Sequence, residues 1–199
     1  MDILNNIQWY LYAIPSLVIA STVHEYAHAF AATKLGDYTA KAEGRLSLNP
    51  LSHIDPIGAL LMVLVGFGWS KPVPINEYNF EKPVLYTAIT AAAGPISNFI
   101  LILISLLIFQ IFPVFPLIVF MIVNISLGVF NLLPIPPLDG HKIVRAILPN
   151  SIRYYWEKLE KFAPIILIFF LLPFSPLSTF TFALISGVIN KLLLVLGIS

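Results

Sequence analysis

Residues 9–33 read WYLYAIPSLVIASTVHEYAHAFAAT, an apolar run broken near its end by His24, Glu25 and His28. A helix of about 20 apolar residues crosses the hydrocarbon core of a bilayer, and this run meets that length. The preceding MDILNN has neither the basic region nor the small-residue cleavage site of a secretory signal. The run is therefore expected to remain in the mature protein as a transmembrane helix. On a helix, His24 and His28 at i and i+4 share one face a turn apart, so both imidazoles can reach one metal ion. Glu25 points partly aside, placed to take a proton from a metal-bound water whose pKa zinc lowers to about 7. A charge at the bilayer centre costs about 2.5–3.5 kcal/mol on insertion scales. Three ionisable groups in one span therefore argue for a functional cluster over polar side chains that merely satisfy one another.

The rest of the chain supports a membrane setting. Of 199 residues, 58% are hydrophobic and 11% charged, and the mean hydropathy is +0.89. These values lie far from those of soluble domains. Two further segments, Leu85 to Phe112 and Phe115 to Leu133, are long enough to span. Ile57 to Gly68 has only twelve residues and reads as a re-entrant element. Ala163 to Leu196 is too long for one span and is interrupted by Pro173 and Pro176, which suggests a helical hairpin with a short first arm. Between Gly36 and Pro56 the alternation Arg45-Leu46-Ser47-Leu48 suggests a small surface strand pair. The expected fold is an all-α polytopic membrane protein. It has a three-span catalytic core over residues 9–145, a short re-entrant or β surface element, and a C-terminal hairpin over 160–199, all in one domain covering 1–199.

If residues 57–68 do not cross, ten of the eleven Lys and Arg residues lie on one face, and the loops opposite carry no charge. Positive loops mark the cytoplasmic side. This orientation puts the N-terminus outside, Trp9, Tyr10 and Tyr12 in the outer aromatic belt, and Trp69 near the inner one. The net charge of +1 and the lack of any Lys/Arg run exclude a nucleic-acid partner.

A catalytic zinc requires a third protein ligand, and with no cysteine in the chain that ligand must be His, Asp or Glu. Asp139, in NLLPIPPLDGH (131–141), stands just past the third span at the depth of the two histidines. An Asp beside Gly is also a common helix N-cap. His141 is a rival ligand. His53, in the polar loop LSHIDP, reads as structural. Gly94-Pro95 beside Asn98 bends a helix, either to line a cavity or as a packing kink.

HEYAH in one span, AAAGPISN in the next and NLLPIPPLDG at the end of another resemble, in order, the motifs of the site-2 protease family of intramembrane metalloproteases. GRLSLNPLSHIDPIGAL followed by KPVPIN resembles its small members without a PDZ or CBS domain. The resemblance implies Zn2+ held by His24, His28 and Asp139, with Glu25 as the catalytic glutamate. It also implies that Asn98 and Asn131 steady the substrate backbone or the oxyanion. The implied substrate is a transmembrane protein or peptide in the lipid bilayer of the cell membrane, cut near the cytoplasmic face. Substrate could add as a strand beside Arg45 to Leu48 or Val73 to Ile75. The sequence departs from the narrower group in the short apolar stretch between Asp55 and Lys71, and in Glu77 where a proline often follows the asparagine. A divalent-metal transporter is the competing reading, but it would show an inverted repeat and ionisable residues on several spans. A non-catalytic binding protein would have lost a ligand or the glutamate.

Overall fold

A computed structural model of the protein describes residues 3–56, 58, 70–171 and 175–197. The expected re-entrant element at 57–68 and Trp69 fall almost wholly outside these residues. Among the described residues the regular structure is helical: α1 (Ile3–Lys34), α2 (Thr39–Ala42), α3 (Pro83–Phe109), α4 (Phe115–Asn131), α5 (Asp139–Ile147), α6 (Asn150–Lys158), α7 (Ala163–Leu171) and α8 (Pro176–Val195), with 3-10 turns at Pro50–Ser52, Glu77–Asn79 and Leu159–Phe162.

Helices α1, α3 and α4 form the core. As α1 runs from Ala20 to His28, its partners on α3 run from Asn98 back to Thr90, so the two helices are antiparallel. At its start α1 meets the start of α4, where Tyr12 and Phe115 pack edge to face with ring centroids 6.0 Å apart. The contact surfaces are built from small side chains. Ala20, Ala29 and Ala32 of α1 are fully buried, and Ala88, Ala91 and Gly94 of α3 are buried too. Where lipid offers no hydrophobic drive between helices, close backbone approach through small residues supplies the packing energy. The larger apolar residues Ile96, Ile100, Leu103 and Leu107 of α3 turn outward, and Leu107 is 71% exposed. Such a surface fits an apolar solvent. A second cluster joins Ile102, Met121 and Ile125 to Leu192 of α8, with Val188 and Leu196 packed around it.

Pro83–Phe109 and Ser178–Val195 are long and apolar enough to cross a membrane. The 32-residue α1 has the length, but the site residues interrupt its apolar character. The 17-residue α4 lies at the lower limit for a span. The nine described residues of α7 give about 14 Å of rise. The strand pair expected around Arg45 to Leu48 is not formed. That stretch carries no strand, and the nearest pairing is a single antiparallel bridge between Ile54 and Ser70. Arg45, which the alternation would place on a strand, is instead buried and donates to the carbonyls of Ser52, Lys71 and Pro72. Within the stretch the Ser47 carbonyl accepts from His53 Nε2–H, a side-chain partner where a ladder would need a neighbouring strand.

Candidate metal centre

His24 and His28 lie one turn apart on the inner face of α1, with ring centroids 4.6 Å apart. Each ring has one nitrogen committed. His24 Nδ1–H donates to Asn98 Oδ1 at 2.7 Å, and His28 Nδ1–H donates to the Thr90 carbonyl at 2.7 Å. In the neutral imidazole this leaves the lone pair on Nε2 of both rings. Both Nε2 atoms point at the same acceptor, Asp139 Oδ2, each at 3.2 Å. Two ring nitrogens and one carboxylate oxygen thus converge in a buried pocket, an arrangement that either a proton on an imidazole or a metal ion shared by all three would satisfy. Ligands 2.0–2.1 Å from a tetrahedral zinc are roughly 3.3 Å from one another, which matches this spacing. Among the described residues, His24, His28 and Asp139 form the group whose ligand atoms all lie within 4.8 Å, and all three are buried.

Asp139 is delivered by the turn after α4. It opens α5 as the first helical residue, with Leu138 as N-cap and no side-chain cap bond, so its carboxylate is not spent on capping. Gly140 lets this corner close. A methyl there would lie 2.5 Å from the Leu132 carbonyl carbon and overlap the carbonyl oxygens of Leu132 and Leu133. Gly94 plays the matching part on α3, where a methyl would overlap the His28 ring and come within 2.6 Å of His24 Cε1. Beside it, Pro95 removes the N–H that the Ala91 carbonyl would otherwise accept, loosening the turn that also presents Thr90.

Glu25 turns away from this group. Its Oε1 accepts from the Ser70 hydroxyl at 2.6 Å and its Oε2 from the Val73 N–H at 3.2 Å. Asn98 is fully buried. Besides holding His24, its Nδ2 donates to Asn124 Oδ1 at 3.0 Å and to the Ala20 carbonyl at 3.4 Å. Asn131 donates to the Leu127 carbonyl of its own helix at 2.9 Å. His141 lies outside the metal group, stacked on Trp156 with centroids 4.9 Å apart and its Nε2 3.3 Å from Glu160. His53 is buried and its Nε2–H donates to the Ser47 carbonyl at 2.7 Å, a structural bracket. Gly94, Thr90, Asn124 and Ser70 were not legible as site residues in the sequence. Only the glycine beside a proline hinted at a close approach.

The chain is similar to known proteins. Residues 110–174 match the model for "Peptidase family M50". The chain is 36% identical over 183 residues to "Putative zinc metalloprotease YwhC" of Bacillus subtilis (strain 168), covering 85% of this chain and 83% of that protein. It is 28% identical over 102 residues to "Putative zinc metalloprotease Rip2" of Mycolicibacterium smegmatis (strain ATCC 700084 / mc(2)155), covering 49% of this chain and 39% of that one. No solved structure gives a significant match.

Proposed function

The chain belongs to peptidase family M50, the site-2 protease family, and is a zinc metalloprotease of the membrane; on that premise we propose that it hydrolyses peptide bonds of transmembrane substrates, with Zn2+ on His24, His28 and Asp139 and with Glu25 as general base. The observation that carries this reading is the convergence of two Nε2 atoms and one carboxylate oxygen in a buried pocket, with the other nitrogen of each ring already committed. When bound, zinc supplies Lewis-acid polarisation of the scissile carbonyl and of the attacking water.

The remaining steps belong to this chain. Glu25 accepts the proton of the attacking water as the new C–O bond forms. It then delivers that proton to the amide nitrogen as the C–N bond breaks, leaving one carboxylate and one amine product. Asn98 and Thr90 orient the two imidazoles. Asn131, half-buried at the last residue of α4 just before the Leu133–Asp139 corner, is the residue left for contact with the substrate backbone. A helical substrate hides its carbonyls in its own hydrogen bonds, so it must unwind locally before it can be cut. The N-terminus lies outside, and the site near the cytoplasmic ends of α1 and α3.

The test is zinc-dependent cleavage of a panel of single-span peptides by the purified protein in lipid vesicles. Glu25→Gln should keep its zinc and lose activity by at least about 100-fold. Equal cleavage by both proteins would overturn the role of Glu25. No cleavage by either, together with zinc flux across the vesicles, would replace the protease by a transporter.

A further inference from the structure

Glu25 is 8% exposed, and both of its oxygens are held by one short piece of chain about 45 residues away, Ser70 to Val73. That piece is fixed independently of Glu25. Lys71 N–H donates to the His53 carbonyl at 2.8 Å, and Ser70 pairs with Ile54. The buried Arg45 donates to the carbonyls of Lys71 and Pro72 on one side and of Ser52 on the other. Three residues beyond Val73, Asn76 N–H donates to Asp37 Oδ2 at 2.8 Å, and the adjoining Glu77 pairs with Arg145 at 2.7 Å. The two donors facing Glu25 are thus preorganised.

A carboxylate has about four lone-pair positions, so two donors leave it free to accept a proton while fixing its plane. The 2.6 Å bond from a hydroxyl to a carboxylate is of the strong, charge-assisted kind. The same two bonds draw Glu25 toward Ser70–Val73, so the carboxylate next in sequence to His24 does not join the metal group. We infer that Ser70 is a positioning residue that aims the Glu25 carboxylate, and that Arg45 anchors the Ser70–Val73 clasp that does the aiming. The inference rests on the proposed role of Glu25.

The experiment compares Ser70→Ala, Ser70→Thr and Glu25→Gln, each reconstituted in vesicles with one single-span peptide that the unaltered protein cleaves. Ser70→Ala is expected to lower kcat about 10- to 100-fold with KM within about twofold and zinc content unchanged, and Ser70→Thr to restore most of it. Infrared difference spectra supply a readout independent of turnover. The carboxylate stretching band that disappears in Glu25→Gln should shift in Ser70→Ala and return in Ser70→Thr. A full-rate Ser70→Ala beside an inactive Glu25→Gln, an unmoved band, or loss of zinc in Ser70→Ala would overturn the positioning role and leave the proposed chemistry standing. A fully active Glu25→Gln would instead overturn the reading on which the inference rests.

Discussion

At the scale of single residues, the metal pocket depends on groups that never touch a metal. Asn98 holds His24 Nδ1 at 2.7 Å and is itself held by Asn124. Groups that orient a ligand in this way are worth about 10–100-fold in metal affinity. Asn98→Ala is therefore expected to bring zinc loss at a 10- to 100-fold lower concentration of competing chelator, while the protein stays folded by circular dichroism. Gly94→Ala should act more severely, since its methyl would overlap the His28 ring. The expected outcome is less than stoichiometric zinc by atomic absorption, whereas Glu25→Gln stays loaded. The sequence displayed the His24/His28 pair plainly, because HExxH on a helix has a fixed geometry, but it left Asp139 open between a ligand and a helix N-cap with His141 as a rival. It did not display Gly94 as a site residue. A glycine before a proline reads equally as a kink, and nothing in the helical period says that two imidazoles lie against it. Ser70 gave no signal at all, because a serine in a loop is ordinary until the fold brings a carboxylate to it.

At the scale of elements, the described parts of the connection between α1 and α3 form a braced strap rather than the strand pair the alternation at Arg45 to Leu48 suggested. Period-two patterning describes alternate side chains, but a strand also needs a neighbour for its backbone, and here the Ser47 carbonyl is met by the His53 ring instead. The far end of the strap depends on Asp37. Burial opposes its charge, but hydrogen bonds from Thr39, Asn79 and Asn76 outweigh this and hold its carboxyl below the usual range. A depressed pKa in the folded state contributes stability that is fully present above about pH 4 and is lost as pH falls through the folded value. Hydrogen exchange at the Asn76 amide, corrected for its intrinsic rate, should show steady protection from pH 7 to about pH 4 and a decline below. Asp37→Asn should lower that protection about 10-fold at neutral pH and flatten its pH dependence. Protection that fell between pH 7 and 5 would place the responsible group elsewhere.

At the scale of the whole molecule, the proposed orientation rests on charge and on the antiparallel core together. Helices α1 and α4 start at the same end, as the Tyr12–Phe115 contact requires, and the His–Asp group lies at the other. From Tyr12 to His24 is twelve residues, about 18 Å along α1, so the site lies well below the end that carries the uncharged Pro113 loop. The basic loops cluster at the site end, which is the cytoplasmic end if positive charge stays inside. Absence of cysteine makes this directly measurable, since any introduced thiol is the only one in the chain. Val114, 47% exposed in the turn before α4, and Glu43, exposed in the loop after α2, lie at opposite ends. With a membrane-impermeant maleimide on intact cells, Val114→Cys should label at once and Glu43→Cys only after permeabilisation. The reverse pattern would put the site at the outer face, and its water and its released products would then belong to the other compartment. Labelling of both before permeabilisation would mean that the α1–α3 connection does not lie behind the bilayer, and the intramembrane reading of α1 would fall with it.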